Sequence, residues 1–320
     1  MRFSVLIGRA SILSERRALL KFLGAGPYLE GMDRIRRSIA GQVHALIGSG
    51  SGAIDIERAA GDDGLFGPSS VTWRVHSDFT TMMIGGLSAL LLQMLHPRVL
   101  AGVWDHSNFR DDPLGRLRRT AQFVSGTTYG STTKALALIE QINAIHDRVL
   151  GHLPDGSPYS ARDPELLTWV HVSSVTGFLR AYVRYRDPFL SFADQDRYLQ
   201  EMSEIARRLG AISIPVSLTQ CELYFEAIRP QLRVDMRTRE VARALLSPRP
   251  SRLGPRLFRT VSSKAAIDLL PGWAARMHQL TLPGPERLLV RTGAQGAQAL
   301  LRWALQDRTV RRARETSTAS

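Results

Sequence analysis

The run Asp112-Pro-Leu-Gly-Arg-Leu-Arg-Arg-Thr120 contains three arginines and a threonine. Asp112 is suited to cap a helix and Pro113 to begin it, because a cap side chain accepts an amide hydrogen bond and proline has no amide hydrogen to leave unpaired. On such a helix Arg116, Arg119 and Thr120 share a face, since residues three and four apart are neighbours. Two cations beside a hydroxyl could hold an anion or stabilise a developing negative charge. The competing interpretation is a solvated basic face paired with acidic residues.

Two histidines occupy interior positions of predicted helices and are the candidate metal ligands. Residues 132–151 predict a helix that a threonine at 132 or 133 caps and Gly151 ends, with His146 on its apolar stripe. A second helix is predicted from Asp163, with His171 on its inward stripe. Neutral imidazole is a common metal ligand, but a lone buried histidine is more often a hydrogen-bonded core residue. From spacing alone, both interpretations stay open for both residues.

Two further histidines flank the segment 97–105. His96 precedes Pro97 at the end of the uncharged stretch 79–95, and it is expected to cap that helix by bonding its last carbonyl groups. His106 lies beside Asp105 and would either line the mouth of a pocket or make a local hydrogen bond. The uncharged stretch is shorter than a usual membrane span, so a buried core helix is predicted, whose small residues at 85–89 would admit another helix or a flat cofactor.

Motifs for other chemistries are missing from the sequence. It has no Gly-x-Ser-x-Gly elbow for a serine hydrolase, and no His-x-x-x-His or Glu-x-x-His pair for a non-haem metal site on one helix. The Gly/Ser run at 48–52 lacks the Gly-Lys-Ser/Thr of a phosphate loop. Cys221, the only cysteine, excludes an intrachain disulfide and suits a reducing compartment.

An ordered set of segments surrounds the arginine run. The segment from Gln93 to Phe109 lies upstream; downstream come Ile145-His-Asp-Arg148, Asp163-Pro-Glu-Leu-Leu-Thr-Trp-Val-His171 and the run 179–185. Together these segments resemble the family that joins bacterial rubber oxygenase (latex clearing protein) to the fungal MpaB-type oxygenases. The likeness covers residues 68–245, and the combination is far more specific than any one segment.

The resemblance implies an all-helical fold with a globin-like core that binds haem b, and so iron, through one axial histidine. In rubber-oxygenase relatives an Arg-x-x-Lys-Thr segment of the haem pocket precedes that histidine; here it matches the catalytic candidates Arg116, Arg119 and Thr120, and His146 stands at the matching distance. His146 is therefore the expected iron ligand, and His171 is the rival ligand or a neighbour of the ligand. The family's lysine is Arg119 in this chain, and a guanidinium keeps its proton, so Arg119 is expected to donate hydrogen bonds rather than ligate iron. The residues expected around the cofactor are His146, His171, Arg116, His96 and His106.

The composition bounds the partners. The formal net charge is +13, but only three of the 42 basic residues are lysines and no nucleic-acid-binding motif accompanies the charge, so DNA and RNA are not expected partners. Attraction to an anionic membrane surface, and with it peripheral association, is left open. The stretch 14–26 weakly resembles a twin-arginine export signal, yet Lys21 interrupts its apolar part and no convincing cleavage site follows, so a cytoplasmic location is expected.

Most of the chain shows helical periodicity, which predicts an all-α protein. We expect an N-terminal helical arm and linker over 1–60, a haem-binding helical domain over 61–250, and C-terminal helices with a tail over 251–320 packed on that domain. The predicted function is a haem b-dependent oxygenase that activates dioxygen to oxidise or cleave an apolar substrate such as an isoprenoid. The alternative is a protein that binds haem or a hydrophobic ligand without turnover.

Overall fold

The computed structural model describes residues 61–109, 112–246 and 253–305, which contain twelve α-helices and one two-stranded hairpin. Helices dominate the described residues, so the predicted all-α class is confirmed. The predicted N-terminal arm over 1–60 lies outside the described residues. In chain order the elements are α1 (Val71–His76), α2 (Phe79–Gln93), α3 (Pro97–His106), α4 (Pro113–Tyr129), α5 (Thr132–His146), β1 (Leu150–His152), β2 (Pro158–Ser160), α6 (Pro164–Tyr185), α7 (Phe192–Leu209), α8 (Leu218–Ile228), α9 (Met236–Leu246), α10 (Leu253–Leu269), α11 (Gly272–His278) and α12 (Gly284–Leu305).

Helices α2 and α6 cross with their backbones in close contact at Gly85 and Gly177. A Cβ atom added to Gly85 would lie 2.6 Å from the carbonyl oxygen of Gly177, and one added to Gly177 would lie 2.7 Å from that of Gly85. Any side chain here would force the two backbones apart, because close-packed interiors do not yield by this much. The small residues of α2 therefore admit a second helix at this point rather than a flat cofactor.

One hydrophobic cluster joins α4, α5 and α6. Ile139 of α5 and Val172 of α6 are buried members of this cluster, and Phe123 and Val124 of α4 pack against it. The helices that carry the predicted arginine face and the two candidate ligands thus converge on the same core, as amphipathic helices do when they bury their apolar stripes together.

Helix ends follow the predicted capping chemistry in most places. The Asp112 carboxylate accepts from the Gly115 amide at 2.7 Å, and Asp163 caps α6. The prediction for α5 was wrong at both ends: Ser131 caps it, and it stops at His146 rather than at Gly151. Residues 150–152 instead pair with 158–160 as an antiparallel hairpin, which satisfies backbone groups that a longer helix would have paired internally.

The C-terminal helices are fixed to α6 by one buried carboxylate. Asp268, whose side chain is 1% exposed, lies 3.1 Å from Arg184 of α6 and 3.3 Å and 2.8 Å from Arg287 and Arg291 of α12. Burial of a charge is tolerated when it is paired and hydrogen-bonded, as it is here. The helices α10 and α11 are separate, because the chain breaks at Pro271.

Within the described ranges no single helix is long and apolar enough to cross a membrane. The bent pair α2 and α3, which meet at 107°, passes such a test together by length and composition.

Candidate functional site

The predicted arginine face lies on α4, but its described side chains point to solvent. Arg119 is 63% exposed and its Nη1 atom lies 3.8 Å from the Asp112 carboxylate, and Thr120 is exposed as well. The backbone of Arg116 belongs to the same helix, and its side chain lies outside the described part. The expectation that this face lines an interior pocket is therefore not met by Arg119 and Thr120, whose role toward an anion or a developing charge stays a prediction.

His146 is the last residue of α5 and is half-buried. Its Nδ1 atom is buried and has no hydrogen-bond partner among the described residues. Burial lowers the pKa of its imidazole, and the Arg162 guanidinium lowers it further. His146 is accordingly neutral at physiological pH, which is the form that binds metals.

His171 lies in the middle of α6, on a helix whose residues are mostly buried. Its Nε2 atom is buried and, in the part of the chain described, accepts or donates no hydrogen bond. Burial lowers its pKa to about 4, so this imidazole is neutral too. Val170, His171 and Ser174 retain partial exposure, and the Gln93 side chain of α2 bonds the Val170 carbonyl and the Ser174 hydroxyl.

The helices that carry these candidate residues pack together in the structure, but this packing does not define a pocket that the residues share. α4 packs directly on α5, where Gly126 faces the side chain of Leu138, and both α5 and α6 pack against α7. Arg119 is on the outer side of this bundle, whereas His146 and His171 are half-buried. One interior cavity shared by all three residues stays a prediction.

The His96 ring does not cap α2, but the backbone amide of His96 donates to the Gln93 carbonyl at 3.1 Å, so the expected contact with the last carbonyl groups is made by the backbone. His96 is the N-cap residue of α3, and its ring turns toward Gln231 (Nε2 to Oε1, 3.3 Å) and Trp169. The last carbonyl groups of α2 also accept from Trp169 Nε1 at Gln93, 3.2 Å away, and from His278 Nε2 at Leu91, 2.9 Å away. Burial lowers the pKa of His96 to about 4, and its Nδ1 atom has no partner among the described residues.

His106 makes the local hydrogen bond that was one of its two expected roles. Its Nε2 atom lies 3.1 Å from the Leu150 carbonyl and 3.3 Å from the Tyr159 hydroxyl. That hydroxyl donates to the Asp105 carboxylate at 2.6 Å, and burial together with Asp105 raises the pKa of Tyr159 to about 12. The cluster holds the hairpin against α3, and His106 itself is exposed.

The sequence analysis missed a histidine whose two ring nitrogens are both bonded. His76 of α1 is buried, with Nδ1 2.8 Å from the Thr128 hydroxyl and Nε2 2.9 Å from the Tyr198 hydroxyl. Because Thr128 donates its own proton to the Val124 carbonyl, Nδ1 donates to Thr128 and Nε2 accepts from Tyr198. Burial lowers the pKa of His76 to about 3. His76, Thr128 and Tyr198 lie on three different helices, so no local spacing could have indicated this network.

Among the described residues, no three His, Cys, Asp or Glu side chains are placed to hold a metal ion together. A metal site with a single protein ligand needs no such group, and His146 and His171 are the candidates for it.

Comparison with known proteins gives one finding. A family model described as "ER-bound oxygenase mpaB/B'/Rubber oxygenase, catalytic domain" matches residues 73–318, which include the arginine run and all four histidines of the predicted site. No curated protein and no solved structure matches the chain.

Proposed function

The chain belongs to the family of MpaB and rubber oxygenase catalytic domains, and from this premise we propose that it is a haem b-dependent oxygenase acting on an apolar substrate such as an isoprenoid. The oxygenase class, and with it an oxidoreductase activity that uses dioxygen, follows from the family. The haem, the substrate and the roles of individual residues are the proposal.

Unbonded imidazole nitrogens are the observation that carries this proposal. Buried polar atoms in folded proteins nearly always have hydrogen-bond partners, so each exception calls for an explanation. Among the described residues, His146 Nδ1 and His171 Nε2 are such exceptions, and both rings have lowered pKa values. A neutral imidazole whose bonding capacity the fold does not use fits an axial haem ligand, so the residues present are compatible with the group.

The choice of iron ligand rests mainly on the position that matches the family's histidine, and secondly on the structure. His146 would hold the haem iron, with His171 as the alternative, because each supplies a neutral ring and α5 and α6 share a core. When bound, haem would supply the redox chemistry of dioxygen activation, while the protein supplies binding, orientation and polarity. The apolar side chains of α4, α5 and α6 would exclude water from that chemistry and receive an apolar substrate.

Arg119 and Thr120 have a role only if their side chains turn inward. The ion pair that holds Arg119 outward is long, at 3.8 Å, and both of its partners are at least half exposed. Such a pair contributes about 0–1 kcal/mol, so its loss would oppose the inward rotamer only weakly. Turned inward, the guanidinium and the hydroxyl would donate hydrogen bonds to a developing negative charge or to a carboxylate of the cofactor.

The second candidate function is a haem-binding or hydrophobic-ligand-binding protein without turnover. The exposure of Arg119 and Thr120 favours this candidate, because a carrier needs no inward donors. The two functions therefore differ in what Arg119 does.

Oxygen uptake by the haem-loaded protein with an apolar polyene as substrate separates the two. We expect Arg119→Leu to keep its haem and to lose turnover by about a hundredfold or more, the usual effect of removing one charge-stabilising donor. Arg207→Leu is the matched control, since Arg207 is also a helical, ion-paired arginine and is 56% exposed. Normal turnover of Arg119→Leu would show that Arg119 is only a surface charge. Absence of turnover in the haem-loaded wild type would favour the binding protein without turnover.

A further inference from the structure

The turn between α6 and α7 exposes two aromatic rings. Phe189 is 94% exposed and Phe192 is 78% exposed, and only two residues separate them in the sequence. Large apolar side chains that remain in water lose the stabilisation that burial would give them. A pair of nearly fully exposed phenylalanines at one tip therefore points to a surface that is covered in use.

Hydrogen bonds order the backbone of the turn that carries the two rings. The Asp187 carboxylate accepts from the Phe189 amide at 3.2 Å and from Arg74 at 2.6 Å, and Leu190 between the two rings is buried. Ser191 then caps α7 through the Asp194 amide at 3.0 Å. The rings are thus presented by an ordered turn that is anchored on both sides.

The charges around the tip are arranged with the cations outward. Arg74 is 47% exposed, whereas its partners Asp187 and Asp194 are 24% and 37% exposed. Arg197 is 61% exposed, and the carboxylate that it contacts is 17% exposed. Arg186, immediately before the turn, is exposed. In each of these pairs the arginine is the more exposed partner, in a chain whose formal net charge is +13.

We propose that this turn docks the protein on an anionic membrane surface, with Phe189 and Phe192 inserted at the level of the acyl chains and Arg74, Arg186 and Arg197 on lipid phosphates. Aromatic tips flanked by arginine suit the interface, where buried apolar area and attraction to anionic lipid add to each other. A bilayer fits better than a protein partner, because two rings on one projecting turn offer far less area than a stable protein interface needs. α2, the most apolar helix, is packed against α6 and is not available for this contact.

Sedimentation with vesicles tests the docking, using the full chain without haem or substrate. Phosphatidylcholine vesicles with and without phosphatidylglycerol are the probe. We expect the wild type to bind the anionic vesicles. The double variant Phe189→Ser/Phe192→Ser should bind them at least about tenfold more weakly. Arg186→Gln should weaken binding about fivefold, and only on the anionic vesicles.

Leu288→Ser/Leu289→Ser is the matched control, since these neighbours on α12 are 66% and 72% exposed. It should bind like the wild type, and thermal melts should show that all variants fold. The proposal is overturned if the wild type does not bind, if the phenylalanine variant binds equally well, or if the α12 variant is the one that loses binding. Gel filtration adds one more contrary outcome: a self-association that only the phenylalanine variant abolishes, with vesicle binding unchanged. Because no turnover is measured, none of these results bears on the oxygenase assignment.

Discussion

Burial lowers the pKa of histidines in two regions of this molecule, but the hydrogen bonds of these histidines differ. In the α1–α4–α7 region, His76 uses both ring nitrogens, one toward Thr128 and one toward Tyr198. In the α5–α6 region, His146 and His171 each keep one buried nitrogen without a partner among the described residues. All three imidazoles have lowered pKa values, so protonation does not distinguish them. The difference lies in unused bonding capacity, which His96 shares through its Nδ1 atom and which separates a fully hydrogen-bonded histidine from one available to a ligand.

Substitution of His76 should have the largest effect on stability. His76→Ala removes two hydrogen bonds, leaves the Tyr198 hydroxyl buried without its acceptor and opens a cavity, so we expect a loss of about 3–5 kcal/mol in the free energy of unfolding. Urea denaturation measures this loss. His146→Ala should cost about 1 kcal/mol or less in the haem-free protein, because its Nδ1 atom has no bond to lose. Equal losses in the two variants would erase the distinction between the regions.

Acid should destabilise the protein through the buried histidines of both regions, His76 among them. The pKa of His76 is about 3 when folded and returns to its ordinary value near 6.5 when unfolded. As pH falls below 6.5, the unfolded state takes up a proton that the folded state refuses, so stability is present above this pH and is lost progressively below it. Between pH 6.5 and 4.5 this amounts to about 2–3 kcal/mol. His76→Gln cannot titrate, so its stability should fall less steeply over this range; an unchanged slope would mean that other groups dominate.

The arginine face should show the smallest effect on stability. Arg119→Leu breaks only a long, exposed ion pair and should change the free energy of unfolding by less than about 0.5 kcal/mol. Asp112→Ala serves as the contrast, because it also removes the N-cap bond to the Gly115 amide and should cost about 1 kcal/mol. If Arg119→Leu is the more damaging of the two in thermal melts, Arg119 supports the fold in a way that its exposed position does not explain.

Local features of this fold were predictable and tertiary ones were not. Capping by Asp112 and Asp163 and the inward position of His171 follow from short-range spacing, and α2 is the core helix that its uncharged sequence indicates. The hairpin after His146 was missed, because its two strands have three residues each and carry no alternating pattern. The partners of His76 and His96 come from distant helices, and the outward position of Arg119 depends on which face of α4 the rest of the bundle covers. Such pairings are decided by packing, which periodicity along one helix does not encode.

The absorption spectrum of the purified protein, expressed with haem supply and recorded before and after dithionite and carbon monoxide, tests the central claim most directly. The account predicts a Soret band that shifts on reduction and with carbon monoxide in the wild type and persists in His76→Gln. The band should be lost in His146→Ala while helical circular dichroism is retained. Loss in His171→Ala alone would move the ligand to α6. A wild type that takes up no haem would contradict the account.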